Sequence, residues 1–201
     1  DLLIAHNHVM KKFGHPTKEL GDIKSLAGKG AWLMMQRSFK KEVIDEKIKN
    51  EMTKEFIDYY SKNIANDSKP FEGLFDFLDW AKSKNISMAV CTNKQERLAV
   101  DLLKRLNLFN YFEYVAGSDT FNYNKPDPRH LTDVVEIIGG DLKKTIMVGD
   151  SEVDEMAATN AKLPFILVAD GYTEKTVEQI KHDVLIKDYV GFDKIISKYL
   201  W

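Results

Sequence analysis

Apolar residues in the first third of the chain recur every three or four positions, which is the spacing of an amphipathic helix. Residues that carry this pattern are Leu2, Leu3, His6, Met10, Phe13, Ile44, Ile48, Met52, Phe56, Tyr60 and Ile64. Gly14 with Pro16, and then Gly28-Lys29-Gly30, interrupt the pattern. A polar stretch over residues 66–70 ends it. The pattern therefore predicts an all-α part built from short helices over residues 1–69.

From residue 70 onward, helical patterns alternate with short apolar runs. Predicted helices span residues 74–84, 95–106, 129–138, 153–161 and 192–199, and predicted strands span 86–91, 114–116, 145–148 and 165–168. Nearly all-apolar strands alternating with helices are typical of a parallel sheet covered on both faces. The sequence thus predicts an α/β fold: a doubly wound, Rossmann-like core over residues 70–201 with the smaller all-α part before it.

Composition and charge exclude several classes of protein. The 201 residues contain 31 acidic and 29 basic side chains, a net charge of −2. This balance lacks the basic excess of a sequence-independent nucleic-acid binder. No apolar stretch approaches the ~20 residues that cross a bilayer. A lone cysteine, Cys91, excludes an internal disulfide and fits a reducing compartment. We expect a cytoplasmic protein that binds neither nucleic acid nor membranes.

Polar residues at the ends of the predicted strands are the candidates for chemistry, because ligands of such sheets bind at the carboxyl ends of the strands. Thr92 and Asn93 follow one strand and lead into a helix. A hydroxyl and an amide beside a helix N-terminus suit a phosphate group. The alternative is that Asn93 caps the helix, with Glu96 as its partner in a capping box.

A lysine in Asn124-Lys125-Pro126-Asp127-Pro128 is the second candidate. Pro126 stiffens the chain beside Lys125, and the residues after it begin the next helix. Held at a strand end, the lysine would neutralise a bound phosphoryl group. The alternative interpretation is an ordinary surface lysine.

Asp150 follows a third strand, in Gly149-Asp150-Ser151-Glu152-Val153-Asp154. A carboxylate directly after a buried strand suits a hard cation such as Mg²⁺, which takes oxygen ligands. Ser151 and Asp154 also fit a capping box, which leaves Asp150 without a structural role. We predict Asp150 as a metal ligand, and Asp154 as a further residue of the metal site that orients Asp150, a water or Lys125.

The order of these motifs resembles the haloacid dehalogenase-like hydrolase superfamily, in its phosphoglycolate phosphatase-like branch with a helical cap. The resemblance covers nearly the whole chain. It implies that Thr92 and Asn93 bind the transferring phosphoryl group, that Lys125 neutralises its charge, and that Asp150 binds Mg²⁺. The implied reaction is hydrolysis of a small phosphomonoester, a phosphorylated metabolite such as phosphoglycolate, through an aspartyl-phosphate.

The sequence departs from the family pattern at one point. The first motif of the family, a strand ending in D-x-D-G-[TV], supplies the nucleophilic Asp and an acid/base Asp, and this chain contains no such motif. The resemblance implies that this strand is the centre of the sheet. The chain also lacks an initiator Met, so we expect that the segment is missing from the sequence rather than from the natural protein. As given, the chain is predicted to be inactive.

Lys29 falls where caps of the resembled family present a specificity loop, so it is predicted to contact a substrate anion; a solvated loop lysine is the alternative. Three alternatives to a phosphatase remain. A phosphosugar mutase would share the core, and a non-catalytic phosphate-binding or partner-binding module would have lost the nucleophile. A dehalogenase is disfavoured because the carboxylates Asp150 and Asp154 imply a cation that haloacid chemistry does not need.

Overall fold

A computed structural model describes residues 1–39 and 44–200. Residues 40–43, which fall in the predicted all-α part, lie outside the described residues. The first 62 residues contribute four helices, here called the helical unit: α1 (Leu2–Lys12), α2 (Leu20–Leu26), α3 (Ala31–Arg37) and α4 (Glu46–Lys62). The interruptions lie between helices as predicted, and at Gly14 and Gly28 the backbone φ is positive, at 74° and 87°.

The remainder alternates helices and strands. The helices are α5 (Leu74–Ser83), α6 (Glu96–Arg105), α7 (Arg129–Ile137), α8 (Glu152–Ala161) and α9 (Phe192–Leu200). The strands are β1 (Ala89–Cys91), β2 (Tyr114–Ala116), β3 (Met147–Gly149), β4 (Phe165–Val168) and β5 (Val184–Ile186). Short 3₁₀ turns occur at Phe109–Tyr111, Leu142–Lys144 and Val177–Gln179. The predicted α/β class is confirmed.

The strands form two parallel sheets. β1 pairs with β2, with Val90 opposite Val115. β3, β4 and β5 form the second sheet in that order, with Val148 opposite Ile166. Within the described residues, β1 and β3 each have a strand partner on one side only. Their residues are half-buried, whereas every residue of β4 is buried.

Helices connect these sheets. Leu131 of α7 and Ala157 of α8 belong to an apolar cluster against which both Cys91 of β1 and Met147 of β3 pack. The helical unit has its own cluster, which includes Met52 and Phe56 and extends to Leu98 of α6. The helical unit therefore packs against the helix that follows Thr92. None of the described helices is long and apolar enough to span a bilayer.

Two features of the strands differ from the prediction. β5 was missed, because its apolar run of three residues is too short for periodicity to identify a strand. In the structure Ile186 is buried while Leu185 is exposed. The strand predicted over residues 86–91 is limited to Ala89–Cys91.

Candidate active site

All six residues predicted for the site line one cavity of about 520 Å³. They are Lys29, Thr92, Asn93, Lys125, Asp150 and Asp154. Tyr60 and other residues of the helical unit line the same cavity, so it lies between that unit and the carboxyl ends of β1 and β3. Residues far apart in the sequence are thus brought together at one edge of the fold.

Asn93 does not cap α6. The N-cap residue of that helix is Gln95, and the carboxylate of Asp119 accepts the N–H of Glu96 at 2.8 Å. The side-chain amide of Asn93 instead donates to the carbonyl oxygens of Lys125, at 2.9 Å, and Gly28, at 3.3 Å. The capping alternative is therefore wrong, because Asn93 joins the Lys125 loop to the Gly28 loop.

Thr92 lies at the start of the same loop. Its Oγ1 accepts the backbone N–H of Lys94 at 3.1 Å, and its own N–H donates to the carbonyl of Ala116. The hydroxyl hydrogen of Thr92 donates to no atom of residues 1–39 or 44–200. A hydroxyl held by its oxygen in this way can donate to an anion in the cavity.

Lys125 is buried, with 8% of its surface exposed, so the surface-lysine alternative is wrong. Its Nζ donates to Oδ1 of Asp154 at 2.5 Å and to the carbonyl oxygen of Cys91 at 2.6 Å. These contacts fix the ammonium group between the end of β1 and the first turn of α8. Its charge is therefore held at the cavity.

Asp154 uses both carboxylate oxygens within the protein. While Oδ1 contacts Lys125, Oδ2 accepts the N–H of Asp150 at 3.1 Å, the N–H of Ser151 at 3.1 Å and the hydroxyl of Ser151 at 2.7 Å. Ser151 in turn caps α8, which completes the capping box. These contacts orient Lys125 and the backbone of Asp150. The metal-ligand role of Asp154 stays a prediction.

The Asp150 carboxyl accepts one backbone N–H of the described residues and lies beside the carboxyl of Asp154. Its Oδ2 accepts the N–H of Tyr172 at 3.0 Å. Gly171 permits this close approach, because a Cβ there would lie 2.3 Å from Cβ of Asp150. Burial, together with the neighbouring Asp154 carboxylate, raises the pKa of Asp150 to about 6. A nearby cation would favour the ionised form, so Asp150 suits a hard divalent ion.

The described residues contain no group of three or more His, Cys, Asp or Glu side chains placed to hold a metal. Of the described residues that line the cavity, Asp150 and Asp154 carry carboxylates, and Asp154 uses both of its oxygens in hydrogen bonds within the protein. One carboxylate with waters and substrate oxygens is a usual ligand set for Mg²⁺, whereas a Zn²⁺ site needs at least three protein ligands.

Lys29 lines the cavity but is ion-paired. Its Nζ lies 2.9 Å from a carboxylate oxygen of Glu174 and 3.3 Å from one of Glu152. Arg37 of α3 also pairs with Glu174. The three pairs connect the helical unit to the loop after β4 and to α8. The predicted contact of Lys29 with a substrate anion stays a prediction.

Lys94 and Tyr60 were missed from the sequence. The Lys94 ammonium donates to the hydroxyl of Tyr60 and lies 4.4 Å from the centre of its ring. Desolvation by burial lowers the pKa of Lys94 to about 8. No local pattern indicates this pair, because Tyr60 lies in α4 and Lys94 lies in the loop before α6, 34 residues away.

Cys91 packs, partly buried, against the apolar cluster that α7 and α8 share. Its thiol donates to the carbonyl oxygen of His130 at 3.5 Å. Burial raises the pKa of the thiol to about 11, so the nucleophilic thiolate is not formed near neutral pH.

Comparison with known proteins gives the family. The haloacid dehalogenase-like hydrolase pattern matches residues 2–168, more than half of the chain. The chain belongs to the haloacid dehalogenase-like hydrolases. A phosphoglycolate phosphatase of Agrobacterium fabrum is 37% identical over 205 residues, covering 98% of this chain and 88% of that protein. Another, of Caulobacter vibrioides, is 34% identical, covering 96% of this chain and 83% of its own length.

Solved structures of other haloacid dehalogenase-like hydrolases share the fold. A protein of Haemophilus somnus, described as a predicted phosphoglycolate phosphatase, superposes with a TM-score of 0.91 at 24% identity, over 97% of this chain and 90% of its own. The CbbY protein of Rhodobacter sphaeroides, solved with xylulose 1,5-bisphosphate, gives a TM-score of 0.78 at 17% identity. The match covers 94% of this chain and 87% of that one. At these identities the likeness shows the common fold alone.

Proposed function

We propose that the complete protein is a Mg²⁺-dependent phosphatase that hydrolyses a small phosphomonoester, such as phosphoglycolate, through an aspartyl-phosphate. One observation carries the proposal: the Thr92 hydroxyl, the Lys125 ammonium and the Asp150 carboxylate line a single cavity. Family membership and the phosphoglycolate phosphatases among its relatives support the reaction type.

In this proposal, Thr92 and Lys125 act on the phosphoryl group. The Thr92 hydroxyl donates to a phosphoryl oxygen, with Asn93 helping in the same loop, and the Lys125 ammonium offsets negative charge on the phosphoryl group and on the nucleophile. Because Asp154 and the Cys91 carbonyl already hold Lys125, little reorganisation is needed when charge develops. Preorganised donors of this kind supply most of the catalysis in phosphoryl transfer.

Asp150 would hold the magnesium ion. Its carboxylate, which accepts one backbone N–H, and its raised pKa fit a hard cation, and Mg²⁺ usually takes one or two carboxylates with substrate oxygens and waters. When bound, the ion would neutralise charge on the phosphoryl oxygens. Asp154 is proposed to contribute by orienting Lys125 and the Asp150 backbone.

The nucleophile is proposed to lie on a strand between β1 and β3 that ends in the D-x-D-G motif absent from this sequence. Two features support this position: β1 and β3 each pair on one side only among the described residues, and Thr92 and Asp150 follow their carboxyl ends. Without an aspartate there, the first displacement has no acceptor, so the chain as given is proposed to be inactive.

We also propose a helical cap domain over residues 1–69 and an α/β core domain over residues 70–201. Separate apolar clusters in the two parts support this division, although the first cluster reaches Leu98. A cytoplasmic location and a small phosphorylated metabolite as the partner remain part of the same proposal.

A substrate screen tests the proposed function. The protein carrying the residues encoded before Asp1 is assayed with a panel of phosphomonoesters, with and without Mg²⁺. We expect hydrolysis that requires Mg²⁺ and is lost in Asp150→Asn. The matched control is Asp58→Asn, at an exposed position of α4, which should keep full activity. Hydrolysis of no phosphomonoester, or phosphoryl transfer within a sugar phosphate in place of hydrolysis, would overturn the proposal.

A further inference from the structure

Three lysines line the cavity, and they differ in their partners. Lys125 pairs with Asp154, and Lys29 pairs with Glu152 and Glu174. For Lys94, the residues that the structure describes provide no carboxylate partner at all. Lys94 is therefore the one lysine of the described cavity lining whose charge is not balanced by a protein group.

Tyr60 is the polar neighbour of Lys94. The phenol oxygen accepts a hydrogen bond from the Lys94 ammonium, and the ammonium also lies over the ring. Because the oxygen is an acceptor in this contact, the O–H hydrogen of Tyr60 remains able to donate to a ligand. Burial raises the pKa of Tyr60, so this hydroxyl stays protonated near neutral pH.

The surroundings of this pair are apolar. Phe56 of α4 and Leu98 of α6 are buried and line the same cavity. An ammonium group in such surroundings is costly unless a counter-charge accompanies it. Its pKa of about 8 reflects that cost, yet most of the lysine remains protonated at pH 7. An anionic ligand group would gain both a charge partner and a hydroxyl donor here.

We propose that Lys94 and Tyr60 form a second anion subsite, which binds the carboxylate of a phosphorylated carboxylic acid such as phosphoglycolate. This assignment rests on the proposed function, with the phosphoryl group at Thr92 and Lys125. Thr92 and Lys94 are two residues apart, so their Cα atoms are separated by at most ~7 Å. The N–H of Lys94 also bonds to Oγ1 of Thr92. Neighbouring subsites suit a ligand whose two anionic groups are a few bonds apart.

A pair of substrates tests the carboxylate assignment. Phosphoglycolate and 2-hydroxyethyl phosphate have similar size, but only the first carries a carboxylate. In the protein with its encoded upstream residues, we expect Lys94→Met to lower kcat/KM for phosphoglycolate by about 10- to 100-fold, mainly through KM. For 2-hydroxyethyl phosphate the change should be less than about threefold. Lys62→Met, at an exposed position of α4, is the matched control and should change kcat/KM for neither substrate.

A second variant and a direct binding measurement keep the test independent of folding defects in Lys94→Met. Tyr60→Phe keeps the ring and removes the hydroxyl. It should lower kcat/KM for phosphoglycolate by about three- to tenfold and have a smaller effect on 2-hydroxyethyl phosphate. In the unchanged protein without Mg²⁺, so that the ligand is not hydrolysed, NMR of the Lys94 ammonium should show its pKa rising when phosphoglycolate is added. Inorganic phosphate, which has no carboxylate, should raise that pKa much less, because its charge lies at Thr92 and not against the ammonium.

The outcomes separate the two proposals. If no phosphomonoester is hydrolysed, the proposed function fails, and the NMR titration still decides whether Lys94 binds a carboxylate. Equal losses of kcat/KM on both substrates in Lys94→Met, or a Lys94 pKa that does not respond to phosphoglycolate, would overturn the proposed subsite. The proposed phosphatase activity would be unaffected by that result. A loss in Lys94→Met that is greatest for a sugar bisphosphate would assign the subsite to a second phosphate and overturn the carboxylate.

Discussion

The Lys125 ammonium lies 2.5 Å from Oδ1 of Asp154, and both side chains are nearly inaccessible to solvent, at 9% and 6% exposure. The same ammonium lies 2.6 Å from the carbonyl oxygen of Cys91. Lys125 precedes α7, Asp154 is in α8 and Cys91 ends β1. One buried ion pair thus joins three elements at the cavity.

Removing one member of this pair should destabilise the fold. Lys125→Met leaves the Asp154 charge buried without its cation, which typically costs about 3–5 kcal/mol in free energy of unfolding. The double variant Lys125→Met/Asp154→Asn removes both charges while keeping a side-chain oxygen that can accept the hydrogen bonds of Asp150 and Ser151, and it should be more stable than Lys125→Met alone. Urea unfolding of Lys125→Met, Asp154→Asn and the double variant checks this, and additive losses of unfolding free energy would show that the charges do not interact.

Thr92→Val should lower kcat by about one to three decades, because a donor to developing phosphoryl charge is lost. Thr92→Ser keeps the hydroxyl and should retain most of the activity. Steady-state kinetics, with thermal unfolding measured in parallel, separate this effect from misfolding. A slower Thr92→Val enzyme whose unfolding temperature falls in proportion would point to a structural role.

Asp150→Asn should stabilise the protein in the absence of Mg²⁺ while preventing its stabilisation by Mg²⁺. The pKa of Asp150 is raised in the folded state, so its contribution to stability is greatest at low pH and falls as pH rises through the window from 3.8 to about 6. At pH 7 the charge is therefore unfavourable, and asparagine removes it. Thermal unfolding at increasing Mg²⁺ measures both effects. Equal stabilisation of both proteins by Mg²⁺ would exclude Asp150 as its ligand.

The pH dependence of kcat/KM reports on Lys94. With a pKa of about 8, the ammonium is charged below that pH and neutral above it. kcat/KM for phosphoglycolate should therefore decrease above about pH 8, because the carboxylate loses its partner, whereas the decrease for 2-hydroxyethyl phosphate should be weaker. Parallel profiles for the two substrates would contradict this prediction. In Lys94→Met the difference between the profiles should disappear.

Glu174→Gln tests the ion pairs between the helical unit and the loop after β4. Its partners Lys29 and Arg37 are partly exposed, at 29% each, so the free energy of unfolding should fall by less than about 1 kcal/mol. If Lys29 also contacts the substrate, Lys29→Met should raise KM more than Glu174→Gln does. Identical kinetic effects of the two variants would limit Lys29 to the ion pairs.

Much of the architecture was predictable from local pattern. The helical period of the apolar residues predicted α5 to α9 to within two residues at each end. β5 was missed because its apolar run of three residues is too short to show a period, and its pairing decides that it is a strand: Leu167 of β4 lies opposite Leu185. Strand pairing of this kind depends on tertiary contacts that the local sequence does not encode.

The sequence alone determined the α/β class and pointed to the residues proposed to carry chemistry, Thr92, Lys125 and Asp150, because strand ends and the motifs that follow them are local features. Only the tertiary structure decided their partners: Asp154 holds Lys125, Asn93 joins two loops instead of capping a helix, and Lys94 meets Tyr60. The physical reason is that burial, ion pairing and pKa depend on which distant elements pack together, and packing in three dimensions has no fixed spacing along the chain.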